Sequence, residues 1–374
     1  MVVAGEASGD DHAARLIEAL RRRTTNTVEF FGCAGPKMRA AGVDAVVEAD
    51  ELSMVGFLEI GGALPKFLSV FNKLKDAALE RRPDAAVLVD FPEFNLKLAR
   101  SLKKAGIKVV YYISPQLWAW RKYRKRTIRD SVDLLLSIMP FEREWYEREG
   151  IHGVEYVGNP LVDEVRPQCS GPEFRKELGI ADTAKVIAML PGSRGAEVKR
   201  VLPIFSRTAS ELSAGREDLE FLVAFPKGHQ ASRQVLESKF SNLRFLYGRT
   251  YDVLNAANAA AITSGTATLE AAILGTPMVI VYKASILNYA LLRPLISVDN
   301  FGLVNLIAKK RIVTELIQHD LTPRTLAEEL SKLLDPEVSL RIKRELGAAV
   351  AKLGGGGASE RAADAIIRLL ELGR

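Results

Sequence analysis

The chain has 374 residues, too many for one ordinary domain, and its 48% hydrophobic and 26% charged residues are the balance of a globular protein with ample core. No run of 18 or more apolar residues occurs, which argues against a membrane-spanning helix, and Cys33 and Cys169 lie too far apart for a CxxC metal or redox motif. A formal charge of +6 favours anionic partners without choosing among nucleotide, phospholipid surface and nucleic acid.

The chain opens on an apolar strand at 2–4, which leaves no room for a basic region and an apolar signal segment. That strand is short for a central position, so the native start is expected upstream of Met1. Gly5-Glu6-Ala7-Ser8-Gly9-Asp10 reads as a tight polar turn into a helix at 11–22, with Leu16, Ile17 and Leu20 on one face and Asp10 or Asp11 as its cap. The two glycines permit positive φ and close ligand approach, although an ordinary strand–helix loop has the same pattern. A strand at 28–32, a short helix opened by Gly35-Pro36 and a strand at 43–47 follow. Residues 53–57, including Met54, lead into a helix at 64–81. There Leu64, Phe67, Leu68, Phe71 and Leu74 recur at helical spacing among Lys66, Lys73 and Lys75. The pattern fits a helix lying in a membrane interface or gripping acyl chains, and equally a core-facing helix with solvated lysines.

A buried-type strand at 85–89 delivers Asp90 at its C-terminal end, followed by Phe91-Pro92-Glu93-Phe94-Asn95 and a helix at 96–105. Ligands of open α/β sheets collect outside the carboxyl ends of strands, which makes Asp90 a catalytic candidate; capping the next helix is the plainer alternative. A strand at 109–113 ends in Ser114-Pro115-Gln116-Leu117-Trp118-Ala119-Trp120, and a basic run from Arg121 to Arg129 follows the two tryptophans. Such a run suits nucleic acid or an anionic membrane interface, and a solvated helix face would read the same way. A strand at 134–138, a helix opened by Pro140-Phe141-Glu142 and the string Tyr156-Val157-Gly158-Asn159-Pro160 complete the first half. Residues 165–172 read as the linker, and a helix at 173–178 leads into the second half.

The second half begins with a strand at 185–190, then Pro191-Gly192-Ser193-Arg194-Gly195 and a helix from Glu197. A glycine loop here meets a helix N-terminus, and Arg194 adds a planar fork suited to phosphate oxygens. Strands at 220–224 and 244–246 and a helix at 251–258 precede the most informative stretch, 263–282. A small-residue strand at 259–263 enters Ser264-Gly265-Thr266, a helix carries Glu270, Gly275-Thr276-Pro277 stops it, and a strand at 278–282 follows: one βαβ unit. The turn points hydroxyls and N–H groups toward a helix start, where phosphate is favoured. Glu270, one turn further in, can reach two vicinal ribose hydroxyls, and Ala271, Ala272 and Gly275 leave room for a bulky ligand. Ser264 as a simple N-cap is the alternative. Residues 296–305, ending on Asn305, helices at 323–334 and 337–353, a glycine hinge at 354–357 and a helix at 359–372 finish the chain.

This order predicts an α/β protein with two Rossmann-like domains facing across a cleft: 1–165, joined by the C-terminal helix 358–374, and 166–357. No GxGxxG followed by a suitably spaced acid, no GxxxxGK[ST] and no GxSxG occurs, which argues against NAD binding, a P-loop and a serine hydrolase.

The strings GEASGD (5–10), SPQLWAWR (114–121), YVGNPL (156–161), LPGSRGAE (190–197), SGTATLEAAILGTP (264–277) and GLVNLIA (302–308) stand in an order that resembles the lipid-A-disaccharide synthase family. The resemblance runs from residue 5 to about 318. It implies a GT-B type, inverting glycosyltransferase that moves 2,3-diacylglucosamine from UDP-2,3-diacylglucosamine to the 6-hydroxyl of 2,3-diacylglucosamine 1-phosphate. It further implies no metal, no cofactor, and a peripheral place on the inner face of the inner membrane of Gram-negative bacteria. By position, Asp90 is the implied general base, with Glu6 as its substitute, and Arg194 meets a substrate phosphate. Gly192, Ser193, Ser264, Gly265, Thr266 and Glu270 are expected to bind the UDP-sugar, with Asn305 near the donor. Ser8, Met54, Phe67, Phe71, Trp118, Trp120 and Arg121 are expected to face acceptor or membrane. The expected partners are the two acylated sugars and an anionic bilayer, not nucleic acid; a homodimer stays open. Phe91, where a small residue is expected, and Thr314, where proline is usual, depart from the family pattern. The alternatives are a cell-wall glucosaminyltransferase, a UDP-GlcNAc 2-epimerase, for which the histidines are too few, or a non-catalytic basic module binding through 118–129.

Overall fold

Short apolar runs that end in polar turns become strands here, and the amphipathic stretches between them become the helices that cover both faces. The computed structural model describes residues 1–25, 27–52, 64–227, 233–285 and 300–371. Met54 and residues 296–299 therefore lie outside the described residues.

The first sheet contains β1 (Val2–Ala4), β2 (Phe31–Ala34), β3 (Asp44–Glu48), β4 (Ala85–Val89), β5 (Lys108–Tyr112), β6 (Leu134–Ser137) and β7 (Val154–Tyr156). All are parallel, in the order β3-β2-β1-β4-β5-β6-β7. Strands β4, β5 and β6 are buried almost throughout, as a parallel sheet covered on both faces requires. Ala4 pairs with Val89, so the turns after β1 and β4 leave the sheet side by side. Strand order reverses at that pair, which makes it the switch point where ligands of such sheets collect.

The second sheet contains β8 (Lys185–Leu190), β9 (Leu219–Phe225), β10 (Arg244–Tyr247), β11 (Ala259–Thr263), β12 (Met278–Tyr282) and β13 (Glu315–Ile317). Its order is β10-β9-β8-β11-β12-β13, again all parallel, and it reverses between β8 and β11. The chain divides into two compact units, Met1–Pro160 with Gly355–Arg374, and Leu161–Gly354. The last helix, Ala358–Glu371, returns to the first unit because its alanine-rich face lets it lie close to helix Ala7–Arg23. Ion pairs Arg22–Glu360 and Arg23–Asp364, and a 2.8 Å hydrogen bond from Arg361 Nε to the Val157 carbonyl, fix its register.

Two local expectations change. The first helix starts at Ala7, four residues before the predicted 11, so Asp10 lies inside it and does not cap it. The buried Asp10 carboxylate instead accepts hydrogen bonds from the backbone N–H groups of Gly35, Lys37 and Met38 at 2.9, 2.9 and 3.0 Å, capping the neighbouring helix Pro36–Ala40. The helix expected at 173–178 begins two residues earlier, at Gly171 within the stretch read as the linker, and runs Gly171–Glu177, opened by a capping box between Ser170 and Glu173.

Candidate active site

Strand β4 stops at Val89, and the next two residues, Asp90 and Phe91, both adopt left-handed backbone with φ of +46° and +47°. For residues with a Cβ this costs roughly 1–2 kcal/mol each, so the surroundings must hold the turn. The Asp90 N–H donates to the Tyr112 carbonyl at 2.9 Å, and the Asp90 carbonyl accepts from the Asn95 amide at 2.8 Å and the Tyr111 hydroxyl at 2.6 Å. The Phe91 ring lies against Gly5, where a Cβ would stand 3.0 Å from its Cδ1 and 2.9 Å from Leu52 Cδ2. A side chain at position 5 would press on Leu52 and Phe91, and Phe91 fills the space between the turns after β1 and β4. Phe91, not Asp90, is the N-cap residue of helix Pro92–Lys104, and no side chain caps it.

The Asp90 carboxyl titrates at about 6, raised by burial and by the negative charge of Glu6 against the opposing effects of the Phe91 N–H and His12. A carboxyl poised there is a competent proton acceptor near neutral pH. Glu6 is exposed and precedes helix Ala7–Arg23 in extended conformation, without a capping bond; Ser8, in that helix's first turn, is also exposed.

The residues expected at the acceptor or membrane separate into two groups. Trp118 is corrected to a core residue: it is 6% exposed, packs edge-on to Phe141, and its indole N–H donates to Glu142 at 3.0 Å. Glu142, read from sequence only as part of a helix start, is fully buried and also accepts from Ser114 Oγ at 2.7 Å and the N–H groups of Ile138 and Met139 at 3.2 and 3.0 Å. Burial pushes its carboxyl up against those four donors. Trp120 is 40% exposed with the Arg121 guanidinium 4.2 Å above its ring. Much of the basic run is neutralised locally, since Arg121 and Arg124 share Glu93, Lys125 pairs with Glu149, and Arg126 and Arg129 share Asp130.

Helix Leu64–Arg81 buries Val70, Leu74 and Ala78 in the core while leaving Leu68 and Leu79 about half exposed. Phe67 and Phe71 are half-buried and meet Phe94 edge-on at 5.2 and 5.9 Å, placing this aromatic cluster directly behind the Asp90 turn.

In the second unit, Leu190 pairs beside Ile262, and Thr263 beside Val281, so the loops following β8 and β11 open at the same carboxyl edge. Gly192 has φ +102°, and a Cβ there would stand 2.5 Å from Glu197 Oε2. Ser193 is exposed. Arg194 precedes helix Gly195–Ser213, is 76% exposed and pairs with Glu197 at 3.5 Å, an exposed contact weak enough to be exchanged for a phosphate. Ser264 does not cap the next helix: its hydroxyl donates to the Phe301 carbonyl at 2.9 Å. Gly265 and Thr266 are exposed and lead into helix Ala267–Ile273. Glu270 on that helix titrates at about 7, raised by burial and by Glu164, with the Tyr251 hydroxyl donating to it at 3.4 Å.

Asn305 is the second correction. It is fully buried, and its amide donates to the Val313 carbonyl and Glu315 Oε1 at 3.0 and 2.7 Å while Oδ1 accepts from the N–H groups of Ile312 and Val313 at 2.8 and 3.1 Å. All four of its hydrogen-bonding positions are filled from within the fold, which leaves none for a donor sugar. Glu315, unnoticed in the sequence, also accepts from the N–H groups of Phe301 and Gly302 at 2.8 and 3.0 Å. Asn305 and Glu315 together pin the segment whose Phe301 carbonyl receives Ser264. Thr314 is accommodated by a 2.7 Å hydrogen bond to Glu329.

Among the described residues, no three His, Cys, Asp or Glu side chains are grouped to hold a metal, and no helix is long and apolar enough to cross a membrane.

The family described as lipid-A-disaccharide synthetase matches residues 1–367. The chain is 40% identical to the lipid-A-disaccharide synthase of Myxococcus xanthus over 379 residues, covering 100% of this chain and 98% of that one. Among solved structures it resembles the UDP-GlcNAc 2-epimerase from Neisseria meningitidis bound to UDP-GlcNAc, with a TM-score of 0.63 at 14% identity, covering 98% and 99% of the two chains. It also resembles Acinetobacter baumannii MurG, with a TM-score of 0.58 at 13% identity and 98% of both chains. At those identities the structural likeness is one of fold: two parallel-sheet α/β domains of the GT-B type.

Proposed function

The chain belongs to the lipid-A-disaccharide synthase family, and from that membership we propose how its two units divide the reaction. The family's reaction forms the lipid A disaccharide, and in our reading 2,3-diacylglucosamine moves from UDP-2,3-diacylglucosamine to 2,3-diacylglucosamine 1-phosphate as UDP leaves. Neither the epimerase nor the cell-wall transferase reading is favoured, because those likenesses extend only to the fold.

In our reading the second unit holds UDP. The loop Gly192-Ser193-Arg194 and the turn Gly265-Thr266 contact the diphosphate, and Glu270 accepts the ribose hydroxyls. Ser264 supports that turn through Phe301. In the first unit Asp90 takes the proton from the acceptor's 6-hydroxyl as its oxygen attacks the anomeric carbon from the face opposite UDP. The bond from that carbon to the phosphate oxygen breaks, its electron pair goes to UDP, and the configuration inverts. The proton ends on Asp90, while Arg194 and backbone N–H groups meet the charge gathering on the leaving diphosphate. Glu6 raises the proton affinity of Asp90 and is the substitute base.

The observation that carries this assignment is Asp90 itself, held in a left-handed turn at the switch point of the first sheet with its carboxyl near 6. Asp90→Asn, followed by single-turnover kinetics, a thermal melt and UDP calorimetry on one preparation, tests it. Turnover should fall roughly 10²–10⁴-fold with melting and UDP affinity nearly unchanged. A near-normal single-turnover rate would overturn the assignment and move attention to Glu6.

Both sugars carry acyl chains, and the first unit has apolar surface to meet a bilayer: Leu68 and Leu79 at 48% and 46% exposure, Trp120, and Tyr123 at 72%. This supports our reading of peripheral attachment to an anionic membrane, which the family resemblance places at the inner face of the inner membrane.

A further inference from the structure

We infer that Asn95 and Tyr111 form a positioning clamp for Asp90, and that the clamp sets the direction in which its side chain leaves the backbone. The inference rests on the reading of Asp90 as the base and names the groups on which that role depends.

Asn95 lies in the first turn of helix Pro92–Lys104 and is fully buried. Its Nδ2 donates to two successive carbonyls, those of Val89 at 3.1 Å and Asp90 at 2.8 Å. Tyr111, on β5 beside the central β4 and also fully buried, donates its hydroxyl to the same Asp90 carbonyl at 2.6 Å. Burial and the nearby carboxyl of Asp90 raise the Tyr111 phenol well above its ordinary value, so it stays protonated and remains a donor at any working pH. The Asp90 N–H is taken up in turn by the Tyr112 carbonyl at 2.9 Å. Both peptide planes flanking Asp90 are therefore fixed, one by the sheet and one by the clamp. With both planes fixed, the Cα–Cβ bond of Asp90 has one direction.

The cost side points the same way. The turn holds two consecutive left-handed residues with side chains, a conformation that relaxes unless its surroundings over-determine it. Asn95 Oδ1 is buried without a hydrogen-bond partner, so the amide is only half satisfied. Its orientation is nonetheless fixed, because the two groups it faces are carbonyls and only the NH₂ end can meet them. A position that tolerates an orphaned oxygen in order to place that NH₂ is one where the two donated bonds matter. An aspartate would set an oxygen against both carbonyls, and a leucine would leave the Val89 and Asp90 carbonyls without those donors.

The test uses the full chain with Asn95→Ala and Tyr111→Phe, each read by thermal melt, UDP calorimetry, saturating single-turnover rate and the pH dependence of that rate. The clamp predicts a rate lowered roughly 10–100-fold with UDP affinity and KM for the donor nearly unchanged, because a base misplaced by about 1 Å loses reactivity without losing ligand. It also predicts a displaced acidic limb in the pH profile, and no further loss when either change is added to Asp90→Asn. A role in stability alone would lower the melting temperature and leave the rate of the folded protein as it was. If Asn95→Ala does not fold, Tyr111→Phe, which removes one hydroxyl from an otherwise intact ring, decides the question. Lost turnover in Asp90→Asn together with unchanged rates in the folded clamp variants would overturn the clamp alone. Retained turnover in Asp90→Asn would overturn the base assignment beneath it.

Discussion

Asp90 and Glu270 are carboxyls that the fold holds protonated to unusually high pH, about 6 and about 7 against ordinary values of 3.8 and 4.5. Because both values are raised in the folded chain, each group contributes stability that is complete below about pH 4 and is lost as pH rises through the folded value. Above pH 7 the ionised Glu270 costs up to about 3 kcal/mol, at about 1.4 kcal/mol per pKa unit. Glu270→Gln should therefore stabilise the ligand-free protein at pH 8 by up to that amount and change little at pH 4, as urea unfolding at the two pH values would show. The same change should weaken UDP binding by about 1–3 kcal/mol, since a charged acceptor for the ribose is lost. Unchanged UDP affinity would remove Glu270 from the site. For Asp90 the expected signature is a single-turnover rate that rises with pH through about 6, following the ionised fraction of the base. The place of Asp90 at the end of a buried parallel strand was legible in the sequence, whereas its left-handed turn was not. Asn305 misled because a lone polar residue in an apolar string announces a buried amide but not its partner. That partner, Glu315, stands ten residues further on.

The elements around the site divide according to whether their partners are local. A buried acid ties the loop 114–120 to the segment after β6: Ser114 and Trp118 donate to Glu142, as do the N–H groups of Ile138 and Met139. Glu142→Ala should leave these donors facing a cavity and destabilise the protein by at least about 3 kcal/mol, a loss that chemical unfolding would register. A loss below about 1 kcal/mol would mean that the loop does not depend on the acid. Tryptophan beside a basic run reads alike in sequence whether its indole meets lipid or an acid 24 residues away, which is why Trp118 was misplaced. Helix Leu64–Arg81 buries a core stripe of Val70, Leu74 and Ala78, as its core-facing reading expects, and leaves Leu68 and Leu79 exposed. Vesicle flotation should find the protein on anionic bilayers at low salt, with binding weakened by salt and by Leu68→Glu. Absence from vesicles at low salt would leave the helix a core element only.

At the scale of the whole molecule, what could be read was order. Parallel strands alternating with helices announced two Rossmann-like sheets, and six short strings standing in sequence carried the family, although each alone was weak. What could not be read was the set of contacts that hold those strings in place, because they join groups remote in sequence: Asp10 to the start of helix Pro36–Ala40, Tyr111 to Asp90, and Ser264 to Phe301. On this reading the chain joins two acylated glucosamines into a disaccharide, with UDP as leaving group. Mass spectrometry of the products formed from UDP-2,3-diacylglucosamine and 2,3-diacylglucosamine 1-phosphate tests it most directly. Lipid A disaccharide 1-phosphate and UDP should form in equal amounts from the natural chain, and neither at a comparable rate from a folded, UDP-binding Asp90→Asn protein. Release of UDP without disaccharide, or disaccharide formed as fast by that variant, would contradict it.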